Sequence, residues 1–124
     1  MPYQSIDVAF MKAPAGSTIR LNTNFDNSVS IDKELTIELN GNDIINNEKT
    51  PIDIKVGGDL TVKGQGTIEC NKNNKAAVFN NGNITINNGK LQRTTDVSGN
   101  GYYTAVNHGT MTINGGMFMS GGEF

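Results

Sequence analysis

Four carboxylates are the residues of this chain that could work in pairs. Glu38 and Asp59 each flank an apolar-Thr-apolar phrase, and Asp53 and Glu69 lie in neighbouring strand-like segments. Glycoside hydrolysis needs two carboxyl groups several Å apart on one face, one acting as acid and the other as base or nucleophile. Proton abstraction from an acidic sugar calls instead for a cation site and a basic residue. The two arginines, Arg20 and Arg93, align with no acidic column when the repeats are written out. Thiol and imidazole chemistry has less to draw on. Cys70, the single cysteine, reads as a small buried residue of a core. His108, the single histidine, sits in the turn Asn107-His108-Gly109, and no Cys or His spacing suits a metal. Gly57-Gly58 and Gly115-Gly116 lie between strand signals, so neither opens a helix as a phosphate loop does. We therefore expect a non-enzyme with no catalytic residue, no metal and no cofactor.

What must position these residues is a repeat. The phrases Leu35-Thr36-Ile37, Leu60-Thr61-Val62, Ile84-Thr85-Ile86 and Met111-Thr112-Ile113 recur at intervals of 25, 24 and 27 residues. Self-similarity at this period marks a solenoid, in which each repeat buries its apolar face only against the next. Strand side chains alternate, so the aliphatics point to one face and the Thr to the other. One inward column then holds Leu35, Leu60, Ile84 and Met111, another Ile37, Val62, Ile86 and Ile113. The outward rank is Thr36, Thr61, Thr85 and Thr112. A single Thr rank is not the double rank that an ice-binding face requires. Second strands precede the phrases at Ile52 to Ile54, Ala77 to Phe79 and Val106, and third strands follow a glycine at Thr67 to Cys70, Leu91-Gln92 and Met117 to Met119. Three short strands per repeat make a triangular coil. Asn80, Asn81, Asn87, Asn88, Asn107 and Asn114 fall at its turns, where Asn adopts left-handed angles or forms side-chain ladders.

Composition agrees. The chain has 124 residues, 35% hydrophobic and 18% charged, with no Trp, so its order must come from regular backbone hydrogen bonding more than from large side chains. A net charge of -2 gives no electrostatic footprint for nucleic acid, and no run approaches the ~20 apolar residues of a membrane span. Ile6, Ala9, Phe10 and Ala13 recur at helical spacing, with Ser5 as N-cap and Pro14 as stop. The expected organisation is a capping helix and turn over 1–16, a β-helix over 17–119 and a tail over 120–124.

Phrases such as ELTIELNGNDI and NHGTMTINGGMF resemble the right-handed parallel β-helix repeats of the pectate-lyase-like type found in phage appendage and capsid-decoration proteins and in Gram-positive surface proteins. The resemblance implies an all-β fold, a single-stranded right-handed parallel β-helix of about four to five coils. It also implies a structural or binding protein of a phage particle, as capsid decoration, head fibre or appendage. Such a protein is made in the host cytoplasm and reaches the virion without a signal peptide. The rival reading is a carbohydrate-binding or polysaccharide-degrading β-helix. A solenoid end exposes unpaired backbone and apolar side chains, so Met117, Phe118, Met119 and Phe124 are expected at an interface, together with Tyr102 and Tyr103 in the longest inter-strand loop. The expected partners are the chain itself, as a dimer or trimer, a larger protein such as the capsid shell, or a host surface glycan.

Overall fold

The computed structural model describes residues 6–72, 75–93 and 104–120. It opens with helix α1, Ile6–Lys12, ended by Pro14, which cannot continue a helix. Ala9, Phe10 and Ala13 are buried, and α1 packs against strand β2 (Val29–Ile31). Lys33 donates from Nζ to the Met11 carbonyl at 3.1 Å, a cation at the negative end of the helix. α1 thus covers the first coil, as its apolar spacing predicts.

The remaining described elements are strands that wind through three parallel sheets. Sheet A stacks β1 (Ser17–Arg20), β3 (Glu34–Glu38), β6 (Asp59–Lys63), β9 (Asn83–Ile86) and β12 (Thr110–Ile113). Sheet B stacks β4 (Asp43–Ile45), β7 (Thr67–Glu69), β10 (Lys90–Arg93) and β13 (Met117–Ser120). Sheet C stacks β2, β5 (Ile52–Ile54), β8 (Val78–Asn80) and β11 (Ala105–Asn107). The chain visits A, B and C in turn, so the fold is a β-solenoid with triangular coils. A single bridge between Phe25 and Ile44 adds one more rung below sheet B.

Every pair of neighbouring strands is parallel and in register with the predicted columns. Leu35, Leu60, Ile84 and Met111 stack, as do Ile37, Val62, Ile86 and Ile113. Sheet B contributes Ile44, Ile68 and Leu91 to the core, with Phe118 in register above Leu91, and sheet C contributes Val29, Ile52, Val78 and Ala105. Strand β4 has no counterpart among the expected third strands. Its single strongly apolar inward residue, Ile44, is too weak a signal alone and is recognisable only through its register with Ile68. Nor do the six turn asparagines supply left-handed backbone. Among described non-glycine residues only Asn40 has positive φ, at 55°; of the six, Asn80, Asn87, Asn88, Asn107 and Asn114 form side-chain hydrogen bonds.

The three corners differ. Between A and B the connections are 39–42, 64–66, 87–89 and 114–116, and between C and A they are 32–33, 55–58, 81–82 and 108–109. Gly58, Gly82 and Gly109 stack at the second of these corners, where a Cβ on Gly82 would collide with the carbonyl oxygens of Gly58 and Lys55. A Cβ is therefore excluded at these three positions. Between B and C the connections lengthen from 46–51 to 70–77 to 94–104.

Ile86 is fully buried between Val62 and Ile113. Ile86→Asp places an uncompensated charge there at a cost of several kcal/mol, against a total stability of about 5 to 15 kcal/mol. We expect the variant to lose its cooperative thermal transition in circular dichroism; a melt like that of the parent chain would refute the column.

Candidate functional site

Register separates the two carboxylates that were the first candidates for catalysis. Glu34 pairs with Asp59 and Asp59 with Asn83, whereas Glu38 pairs with Lys63. Glu38 and Asp59 therefore occupy opposite ends of sheet A, four residues or about 13 Å apart along the strand at ~3.3 Å per residue. That exceeds the ~5 to 9.5 Å that glycoside hydrolysis uses. Asp53 lies on sheet C and is paired with Lys55 at 2.8 Å. Glu69 lies on sheet B, 8% exposed, where its oxygens accept from Gln92 Nε2 and from Asn71 Nδ2, the latter at 3.0 Å. The four acids thus divide among three sheets.

Of the two arginines, Arg93 aligns with no acidic position, as expected, and Arg20 departs from expectation. Arg20 does align with an acidic position, opposite Glu38, although its guanidinium donates to Asn40 Oδ1 at 3.1 Å. The alignment was hidden because β1 begins with Ser17 where the later phrases have an aliphatic residue. Arg93 is not on a solvated face at all. It is 1% exposed and donates to the carbonyls of Cys70 and Lys75, each at 3.1 Å, and of Lys72 at 2.8 Å. The side chain follows Leu91 at period two into the interior, and its fork of donors gathers the corner at 70–77 by its carbonyls. Cys70 beside it is fully buried, with its Sγ 3.5 Å from the Lys49 carbonyl.

The outer face of sheet A carries the Thr rank, which Thr18 extends downward. Thr36, Thr61 and Thr85 are half-buried and Thr112 is exposed. Beside the rank, Asn114 Nδ2 donates to Asn87 Oδ1 at 2.8 Å. A polar groove of about 630 Å³ lies at the first rung of sheet B, between Thr23–Asn27, Asp43 and Ile45. Its Asp43 is committed to the ladder, accepting from Thr67 N–H at 3.0 Å. Among the described residues no three His, Cys, Asp or Glu come together as a metal would require, and no helix is long and apolar enough to cross a membrane. His108 packs edge-on against Phe79, with ring centroids 5.2 Å apart.

The surface that remains is the last coil. Ile113 and Met117 are each 54% exposed, Met119 45% and Phe118 37%. Met117, Phe118 and Met119 share β13 but not a face. Phe118 continues the core column of Leu91, while Met117 and Met119 stand in register with Lys90 and Gln92 on the outer flank. Met111 and Ile113 belong to the same open end. Sequence reasoning placed them in core columns correctly, and among the described residues no strand stacks beyond β12. Phe124, Tyr102 and Tyr103 lie outside the described residues. Set against known protein families, curated proteins and solved structures, the chain matches none.

Two substitutions test the polar assignments. Arg93→Ala removes the donors from three buried or partly buried carbonyls, and we expect a loss of about 3 kcal/mol or more in urea unfolding; a loss below ~1 kcal/mol would mean the corner holds itself. Thr85→Val keeps the β-branched shape on a half-buried strand position and should shift stability by less than ~1 kcal/mol.

Proposed function

We propose that the protein is a non-enzymatic structural and binding module, a rigid block that joins other chains through the exposed apolar side chains of β12 and β13. The observation that carries this reading is the contrast between two surfaces. The candidate acids are dispersed over three sheets, with Asp53 and Glu69 held by neighbouring side chains, whereas Ile113, Met117, Phe118 and Met119 are apolar, exposed and concentrated at one end. Fully burying them would contribute about 1.5 to 3 kcal/mol each before ordering costs, and apolar groups gathered in this way mark interaction sites. The setting we propose is a phage particle, as a capsid-decoration, head-fibre or appendage protein, a reading supported by the resemblance of the repeats.

Incubation with a panel of acidic and neutral polysaccharides is expected to release neither reducing ends nor unsaturated products. Turnover that disappears in Glu38→Gln or Asp59→Asn would overturn the non-enzymatic reading. Immunogold labelling of intact phage particles by antibodies against the chain is the expected result for the virion setting, and labelling confined to host debris would refute it.

A further inference from the structure

We infer that Asn88-Gly89 is a self-modifying site, at which the folded chain converts Asn88 to aspartate and isoaspartate with water as the only co-reactant. This goes beyond the structural reading, since it concerns how long one corner of the module keeps its covalent structure and not what the module joins.

Five Asn-Gly steps occur in the chain, at 40–41, 81–82, 88–89, 100–101 and 114–115. Glycine puts no side chain beside the amide nitrogen that must approach the Asn carboxamide, so each step is open to attack by its own backbone. What separates them is where the nitrogen and the carboxamide point in the fold. The Gly41 N–H donates to the Gln65 carbonyl at 2.6 Å, and the Asn40 carboxamide is held on both sides, by Arg20 at Oδ1 and by the Leu21 carbonyl at Nδ2. The Gly82 N–H donates to Asn80 Oδ1 at 3.0 Å. The Gly115 N–H donates to the Ile86 carbonyl at 3.3 Å, while Asn114 Nδ2 is turned to Asn87. Asn100-Gly101 lies outside the described residues.

At 88–89 the nitrogen and the carboxamide face each other. The Gly89 N–H donates to Oδ1 of Asn88 itself, at 2.8 Å. Cγ is one C=O bond of about 1.23 Å from that oxygen and therefore within about 4 Å of the nitrogen. Reacting atoms held for attack stand about 3 to 3.5 Å apart, so a small rotation of the side chain completes the approach. Loss of the Gly89 proton leaves an electron pair directed at the carboxamide. Asn88 is exposed and borders a groove of about 440 Å³ that Gln65, Thr67 and Lys90 also line, which gives hydroxide and water access to the step.

The Gly89 nitrogen yields its proton to hydroxide and bonds to Cγ, the Cγ–Nδ2 bond breaks, and the leaving nitrogen takes a proton from water to depart as ammonia. Water then opens the five-membered succinimide at one carbonyl or the other, giving aspartate or isoaspartate at position 88. The corner has little room for the second product. Gly66, Gly89 and Gly116 lie in register there, Gly89 has a φ of 97°, and a Cβ on Gly116 would stand 2.7 Å from the Gly89 carbonyl oxygen. Isoaspartate lengthens the backbone by one methylene at this stacked turn, and either product adds a negative charge to it.

The full chain, aged at neutral and at mildly alkaline pH, is digested and its peptides are read by mass spectrometry. A gain of one mass unit with release of ammonia is expected at 88–89, ahead of 40–41, 81–82 and 114–115 by roughly tenfold or more, the scale on which positioning separates reacting groups. The rate should rise with pH, because the amide nitrogen must lose its proton. In denaturing urea the lead should vanish, since the geometry that singles out Asn88 is gone. Asn88→Gln should remove the early product, because the longer side chain has to close a larger ring, and its circular dichroism should match that of the parent chain. Another of these described steps reacting as fast in the folded chain, or a lead at 88–89 that persists in urea, would overturn the inference. None of these readouts depends on what the module binds or on whether it is catalytic, so the two readings fail separately.

Discussion

Hydrogen bonding from one coil to the next is the interaction on which everything else in this molecule rests. Its described strands are three to five residues long, too short to persist alone, and each finds its donors and acceptors about 25 residues away in the chain. Parallel in-register stacking satisfies the backbone without an aromatic core; of the described aromatic rings only Phe10 is buried. It also turns position within a coil into position within a column, so that each residue's surroundings are set by its equivalents above and below. Stability in such an array is approximately a sum over coils and their interfaces.

The same rule governs the polar groups inside. Asn80 occupies a core position because the stack supplies it with partners in the next coil, Asn107 and Thr110. Arg93 is admitted because a corner of the preceding coil turns three carbonyls toward it. In both cases the desolvation of a polar side chain is offset by bonds that only the solenoid geometry provides. Each therefore ties the identity of one coil to the conformation of another. That coupling adds a requirement for correct stacking which aliphatic columns, being interchangeable in shape, lack.

Much of this was legible in the chain because the repeat is written in side-chain types. The Thr-centred phrases fixed the columns of sheet A to the residue, and the helix followed from the spacing of Ala9, Phe10 and Ala13. Where the pattern is carried by one residue, as at Ile44, or begins with a polar one, as at Ser17, periodicity had too few members to be read. Arg93 escaped because residue type argues for the surface while only the period argues for the interior. The candidate acids were misjudged in a similar way. Glu38 and Asp59 do lie on the outer face, but their separation was already implicit in the columns, since stacking Thr36 on Thr61 sets Glu38 opposite Lys63 and Asp59 opposite Glu34. Met117 and Phe118, expected at an interface, are exposed, and the exposure of Ile113 follows from the absence of a described coil above it.

The three corners of the triangle leave unequal room for change. Two are locked, one by stacked glycines whose neighbours' carbonyls exclude any side chain and the other by connections of three or four residues. The third lets its connections grow from coil to coil, from 46–51 through 70–77 to 94–104, while the strands on either side keep their register. In evolutionary terms that corner is the edge of the molecule that admits changes of length, although its composition is held where Cys70, Ala76 and Ala77 are buried and where Arg93 gathers three carbonyls. In engineering terms it is a display site: peptides grafted there would project in a row from a rigid support, spaced by the ~4.8 Å rise of the coils.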